Sequence, residues 1–377
     1  MAVNLETILG MRNLIGMIQS VMGGVPSDLL PPEMYRPSRT VEGNRGTYFK
    51  VRGTRQTARI VQYGGPSKAR ELPGVSEESI TLIHAFEHVV HSTAVLQNLA
   101  AESQNSPDAE IKQRLGLETI SRQIADFGGL FKNLRISAIY SALATGKIYW
   151  DADGNLLPSS TGAAYKVDFG IPANQVGTLS VVLGGVQTGW NTTSTDIPGQ
   201  LIQLKNLARK RTGYPITHAY YGANILGYLN ANTVIKQFFT GSAKITESMA
   251  WTEIPDGFLG IQKWYPVTEA FFAQSTQPLG SDESGSISSW FSADQVVFTP
   301  APSPDWWEVL EGTYRIPRSF TITKDMMQQI QSLQQVAGPF SYAVMQDDPV
   351  SIKHLAGDTF LPIIKVPGVV FNVTVKI

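Results

Sequence analysis

The sequence predicts an α+β fold in which one very long helix carries flanking β structure beside a separate α/β unit. Three observations predict it. Apolar residues recur at helical spacing from Asp108 to Ile148, strand-like alternation fills residues 46–95 and 340–377, and strand and helix patterns take turns between 196 and 335.

The opening stretch, MAVNLETILGMRNLIGMIQSVMGGV, spaces its apolar positions helically, is interrupted by Glu6 and Arg12, and ends at Gly23-Gly24. It reads as a short amphipathic helix that binds a partner and not as an export signal, because its apolar residues are not massed and no clean small-residue cleavage site follows. Residues 26–45 hold four prolines and little periodicity, the composition of an extended arm without a packed element. Residues 46–63 alternate polar and apolar side chains in two runs broken at Gly53. Gly64-Gly65-Pro66 then turns the chain, and SITLIHAFEHVVHST resumes strand chemistry up to about Val95. Such an excursion has scarcely any core of its own, so it is expected to lie on a neighbouring molecule.

In the long helix, Leu117, Ile120, Ile124, Phe127, Phe131, Leu134 and Ala138 form one apolar stripe, while Glu118, Arg122, Asp126, Lys132 and Arg135 mostly fall off it. Ser106 suits the N-cap, Pro107 the first turn, and Gly146 the C-terminal exit, with Lys147 beside the negative end of the dipole. A rod of about 38 residues is roughly 55 Å long. Gly128-Gly129 marks a point where it can bend. A helix of this length needs something large to pack against, and other copies of the chain could supply it.

Beyond the helix, Asp153-Gly154 turns a hairpin between Tyr149-Trp150 and Leu156-Leu157, and residues 164–169 and 179–183 read as short strands. The glycine-rich residues 184–196 form a boundary. Asp196-Ile197-Pro198 starts a helix that runs to about Arg211 and is stopped at Gly213-Tyr214-Pro215. A strand at 217–221, a helix at 223–239 and strands at 258–267, 294–299 and 319–323 follow, with a mobile loop at 275–290. The closing VVFNVTVKI is a strong alternator.

Thirty basic and 31 acidic side chains give a net charge of −1, which argues against a dedicated nucleic-acid binder. The absence of cysteine excludes disulfides, thiolate metal sites and a cysteine nucleophile. Charged residues make up 16%, below the roughly 25% of soluble domains, a balance that suits a subunit with much surface buried against partners. No apolar run approaches the ~18 residues of a membrane span.

The sharpest enzyme-like string is His84-Ala-Phe-Glu87-His88, an H-x-x-E-H pattern with His91 in reach. Its aliphatic, β-branched flanks favour a strand, on which His84 and His88 share a face and Glu87 points away. A metal-dependent hydrolase using His84 and His88 is the enzymatic alternative. Asp151 to Asn155 misses calcium-loop spacing and reads as a turn; Gly146-Lys147 lacks the rest of a phosphate loop; no nucleophile elbow is present. Trp306-Trp307 is a packing pair or a stacking platform. The basic run Arg52, Arg55, Arg59, Lys68 and Arg70, followed by Glu71, Glu77 and Glu78, is either a solvated face or a set of charges that pair with an adjacent subunit.

The order of parts, with ALATGKI leading to DADGN and Val167-Asp168-Phe169-Gly170-Ile171-Pro172, resembles the major capsid proteins of tailed phages. So do TGYPITHAYYGANILGYLNANTVIKQFF and DDPVSIKHLAGDTFLPIIKVPGVVFNVTVKI, which are similar to the lambda-type major capsid protein E family from about residue 25 onward. The resemblance implies the Hong Kong-type phage capsid fold: an N-terminal arm (1–45), an extended β loop crossing a neighbour (46–106), a peripheral domain with the spine helix (107–195), an axial domain around fivefold and sixfold axes (196–335), and a return to the peripheral domain (336–377). It implies a structural subunit without enzymatic role, cofactor or metal, which self-assembles as pentamers and hexamers into the icosahedral head shell enclosing double-stranded DNA. Scaffolding, decoration and portal proteins, and diffuse contact with packaged DNA, are implied partners; no membrane is. The shell belongs to the virion and is assembled in the host bacterial cytoplasm. Within this picture, Arg52, Arg55, Arg59, Lys68, Arg70 and Glu71 are candidate inter-subunit contacts, and Gly128 and Gly129 a flex point for shell expansion. A tail-tube subunit is the structural alternative. Some relatives crosslink a lysine to an asparagine, but no motif places either partner here.

Overall fold

The structure, a computed structural model, describes residues 11–23, 29–51, 75–91, 107–152, 156–157, 159–240, 251–267, 271–272, 288–289, 291–317, 333–347 and 350–377. The N-terminal amphipathic pattern folds as helix α1 (Met11–Gly23), in which Leu14, Ile18 and Met22, four residues apart, bury one face. The arm that follows is packed, contrary to expectation. Pro32 opens a single turn, α2 (Pro32–Tyr35), where its missing N–H costs nothing, and Leu30, Met34 and Tyr35 enter the main core. Strand β1 (Arg39–Val41) leads to β2 (Arg45–Val51), which pairs antiparallel with β3 (Val75–Thr81). After Leu82, β4 (Ile83–His91) leaves that hairpin.

The long pattern folds as one helix, α3 (Pro107–Thr145), unbroken through Gly128-Gly129 and about 58 Å long at 1.5 Å per residue. It ends at Gly146, whose φ of +68° is open to glycine and strained for other residues. Strands β5 (Lys147–Trp150), β6 (Leu156–Leu157) and β7 (Tyr165–Asp168) form a small sheet in the order β6-β5-β7. Next come β8 (Val176–Thr178) and a short helix, α4 (Leu179–Leu183), in place of the expected strand. A five-residue apolar run has no diagnostic period, and here Leu179 and Val182, three apart, are the buried pair.

Helix α5 (Ile197–Thr212) begins as the sequence predicts: Gly199 N donates to the Asp196 carboxylate at 3.0 Å, and Gly213 ends the helix in the left-handed region. Strand β9 (His218–Tyr221) is fully buried. The expected single helix at 223–239 is two, α6 (Ile225–Ala231) and α7 (Thr233–Thr240). They are separated by buried Asn232, which donates from Nδ2 to Thr195 O at 2.9 Å and accepts from Ile235 N at 2.8 Å. The remaining strands are β10 (Lys263–Pro266), β11 (Phe271–Phe272), β12 (Ser288–Ser289), β13 (Gln295–Thr299), β14 (Trp307–Pro317), β15 (Leu333–Ala337), β16 (Phe340–Asp347), β17 (Val350–Ile364) and β18 (Phe371–Thr374). Strand β14, eleven residues long, is not anticipated by the sequence pattern. The expected strand at 319–323, the Asp153-Gly154 turn and most of the loop at 275–290 lie outside the described residues, as does Ser106.

Two larger sheets organise the molecule. In the six-stranded sheet, β1, β14, β17 and β16 lie in that order, with β15 on β14 and β4 on β17. The five-stranded sheet runs β10-β9-β13-β18-β8. The C-terminal segment therefore does not stay with the first sheet: β16 and β17 belong to it, but β18 crosses to the second, between β13 and β8. One core gathers residues from α2, α3, β14 and β17 together with Tyr220, Tyr265 and Val297 from one face of the five-stranded sheet, and a second packs on the opposite face of that sheet, with Ala219, Tyr221, Val296 and Phe298. No described helix is long and apolar enough to cross a membrane.

Candidate functional site: the anchored spine helix and an open sheet edge

The spine helix is held at three levels. Near its middle, α1 lies against it: Leu14, Ile18 and Met22 close with Ile124, Phe127, Phe131, Ala343 and Ala356 into one apolar cluster. Each large apolar side chain there contributes about 1.5–3 kcal/mol by burial. The N-terminal helix thus docks on its own chain, in place of the expected partner-binding role. Gly128 permits the approach, because a Cβ there would come within 2.6 Å of Val21 Cγ1 and 2.9 Å of Val21 Cβ. Gly129 faces open space, where a Cβ would meet nothing within 4 Å. The two glycines, paired in sequence as a bend, have different surroundings.

One turn further on, Arg135 is only 3% exposed. Its Nε donates to Asp358 Oδ2 at 2.6 Å, and its Nη2 donates to Asp358 Oδ1 and Glu311 Oε1, both at 2.7 Å. The guanidinium lies 5.2 Å from the ring of Phe360 and 5.8 Å from that of Tyr35. Burial by itself would lower the Arg135 pKa, but Asp358 and then Glu311 outweigh it and hold the group above its ordinary value. Burial pushes the Tyr35 hydroxyl up to about 12, with Arg135 working against the shift. This cluster joins α3, α2, β14 and β17. Sequence reasoning misses it, because Arg135 is grouped with the charges off the apolar stripe. A signal is nonetheless present: from Ile136 to Thr145 the helix carries no charge, the mark of a segment buried all round.

At its C-terminal end the helix is tied to the five-stranded sheet. Asn372 Nδ2 donates to Ala144 O, and Gln295 Nε2 donates both to Ala144 O at 3.2 Å and to Asn372 Oδ1 at 2.7 Å. Side chains of β13 and β18 so satisfy a carbonyl that the end of a helix leaves without an internal partner.

Strand β4 pairs antiparallel with β17 over Ile83–His91, so the return limb of the expected excursion is part of its own chain's sheet. The histidine string lies on a strand, as its flanks predict. His84 Nδ1 and Thr359 Oγ1 are 2.7 Å apart, and the His84 ring stacks on Tyr314 at 5.3 Å. Burial lowers the His84 pKa, partly offset by Asp358. Glu87 lies on the opposite face of the strand from His84 and His88. Among the described residues no group of three His, Cys, Asp or Glu side chains could hold a metal ion. Phe86 faces Phe340 across Gly357, the two rings 6.1 Å apart, and Tyr314 stacks on Phe340 at 4.5 Å. Beyond these contacts the strand stays open: Phe86 is 40%, Val89 37% and Val90 51% exposed.

Trp306 and Trp307 are buried, donating from Nε1 to Ala301 O at 2.8 Å and to Met34 O at 3.0 Å, so they pack the core and present no platform. Glu78 accepts from the buried Tyr48 hydroxyl at 2.9 Å and lies 3.6 Å from Lys50 Nζ. Arg52, Arg55, Arg59, Lys68, Arg70 and Glu71 lie outside the described residues.

Anchors of this kind position a long rod against two sheets. The sequence model of the phage major capsid protein E family matches residues 34–375, and the chain belongs to that family. It is a shell protein of the phage virion, and its role is structural, not enzymatic. Among curated proteins nothing matches. Similar solved structures include a phage-related protein from Bordetella bronchiseptica RB50, 10% identical, covering 95% of each chain with a TM-score of 0.49. A putative capsid protein of an Escherichia coli CFT073 prophage is 12% identical over 80% of this chain and 79% of its own, with a TM-score of 0.46. The capsid of Ralstonia phage GP4 is 9% identical over 91% of this chain and 87% of its own, with a TM-score of 0.43. The assignment rests on the family match.

Proposed function

We propose that copies of this shell protein close around fivefold and sixfold axes, with residues 196–335 as the axial domain, the spine helix as the backbone of the peripheral domain, and the 46–106 segment reaching a neighbour. The observation that carries this is the family match over residues 34–375. Pairing of β4 with β17 shortens the reach of that segment, since residues 83–91 belong to their own subunit's sheet. The crossing of β18 and the place of β8 likewise qualify the domain boundaries at 195 and 336. Arg52, Arg55, Arg59, Lys68, Arg70 and Glu71 form charge pairs with an adjacent subunit in this proposal, and Gly128-Gly129 is the flex point for expansion. Assembly in the host bacterial cytoplasm, help from scaffolding, decoration and portal proteins, and diffuse contact of the inner face with DNA complete it.

Many modest contacts per subunit make a strong shell through multivalency, and heterologous contacts that close by rotation make a finite one. Expression of the chain alone followed by negative-stain microscopy tests the reading. Closed shells are expected. Open tubes or stacked rings would favour a tail-tube subunit, and a monodisperse monomer holding stoichiometric metal would favour the hydrolase alternative.

A further inference from the structure

We infer that the solvent-facing side of helix α5 (Ile197–Thr212), with Lys205, Arg209 and Lys210, turns to the interior of the shell and holds the phosphate backbone of the enclosed double-stranded DNA. This assignment rests on the shell reading above and gives named residues to a DNA contact that the reading leaves diffuse. From Ile197 to Thr246 the chain carries six of its 30 basic side chains and none of its 31 acidic ones. The rest of the chain is therefore acidic on balance, and the near-zero total conceals one positive segment. Helix α5 holds four of the six, and Arg209, Lys210 and Arg211 crowd its last turn.

The plain account of such a cluster is the helix dipole, whose carboxyl end attracts cations. That end is equivalent to only about half a negative charge, so one cation matches it and three overshoot it. Two of the cations also spend their hydrogen bonds on neutral groups: Lys205 donates to Leu259 O at 2.6 Å and Arg211 to Asn174 O at 3.4 Å. Burial lowers the Lys205 pKa, and Arg209 lowers it further, so the charge that Lys205 meets is another cation. The placement suits a polyanion. Leu201, Leu204 and Ala208 enter the core on the five-stranded sheet, which leaves Gln203, Asn206, Arg209 and Lys210 exposed on the other side at steps of three and four. Amide and cationic side chains are the types that hydrogen-bond phosphate oxygens and read no base sequence there. Gln203 to Lys210 covers about 10 Å of helix axis, and each DNA strand offers one phosphate per roughly 3.4 Å, so about three phosphates lie within its span. In a shell otherwise acidic on balance, this face is where the enclosed polyanion meets least repulsion.

Unassembled subunits are titrated into a fluorescent DNA duplex of arbitrary sequence, and binding is followed by anisotropy between 50 and 200 mM salt, with ~50 mM as the favourable end. Three phosphate contacts predict an affinity that falls roughly fortyfold over that range. Arg209→Gln with Lys210→Gln, checked by circular dichroism to be folded, should cut the fall to about three- to fourfold. Absence of binding at the low-salt end, or a variant with the parent's salt dependence, would overturn the inference. So would preference for an acidic polypeptide over the duplex. The direction of the face is read separately. The chain has no cysteine, so Asn206→Cys places a single thiol on it. In closed shells without DNA that thiol should react with a small maleimide and not with a polymer-linked maleimide too large to enter. Reaction with both would put the face outside, and reaction with neither would put it in a contact between subunits; either result overturns the inference. If the unmodified chain forms no shells at all, the shell reading fails instead, whereas the titration on free subunits judges this surface by itself, so the two failures are distinct.

Discussion

Replacing Arg135 with methionine removes the charge that holds the spine helix against both β14 and β17 while keeping an unbranched apolar side chain between Tyr35 and Phe360. The guanidinium donates two hydrogen bonds to Asp358 and one to Glu311, all between 2.6 and 2.7 Å. Asp358 is 0% and Glu311 8% exposed, so water cannot replace the lost donors without opening the core. Removing one partner of a buried ion pair costs about 3–5 kcal/mol, mostly from the charge left behind. That is a large share of the roughly 5–15 kcal/mol that keeps a domain folded. Urea unfolding of the unassembled Arg135→Met subunit should show this loss as a lower midpoint at unchanged slope. Adding Asp358→Asn and Glu311→Gln to Arg135→Met should restore most of the stability, because the stranded charges are then gone. Arg135→Lys should fall between, keeping the charge but not the two-pronged geometry. A loss below about 1 kcal/mol for Arg135→Met, or a triple variant no better than the single one, would refute the idea that buried charge makes the cluster an anchor.

The glycine pair gives a second test. Gly128→Ala should cost about 1–3 kcal/mol through overpacking against Val21 and be relieved by Val21→Ala, whereas Gly129→Ala should gain up to about 1 kcal/mol, as thermal unfolding will show. Gly129→Ala is then the clean test of the flex point: impaired shell expansion is expected, and normal expansion would exclude it. Finally, burial lowers the pKa of both His84 and His218 from the usual 6.5, so the unfolded chain binds more protons than the folded one. Stability should be fully present above about pH 6.5 and decline as the pH falls below it, and His84→Gln with His218→Gln should flatten that decline in urea midpoints.

What the sequence discloses follows how far apart the cooperating residues are. The spine helix is legible because its stripe, its proline and its terminal Gly146 are local signals. Helix α5 is legible for the same reason, from Asp196 and Gly213. The alternating runs reveal β2, β4 and β17 as strands but not their partners: β4, expected to rest on a neighbour, instead pairs with a strand more than two hundred residues away in the chain. Arg135 meets Asp358 across 223 positions and Glu311 across 176, and no periodicity within one element reports such a meeting. Short elements escape the sequence where the pattern is too brief to carry a period, as at Leu179–Leu183, or where one side chain intervenes, as Asn232 does between α6 and α7.

The place of β18 has a consequence for biosynthesis. It sits between β13 and β8 in the five-stranded sheet, yet it is translated after every other strand of that sheet. Until it emerges from the ribosome, β8 has no place to attach, the carboxyl end of the spine helix lacks Asn372, and the sheet stays split. The five-stranded sheet, and its tie to the spine helix, can therefore close only after residues 371–374 have been made.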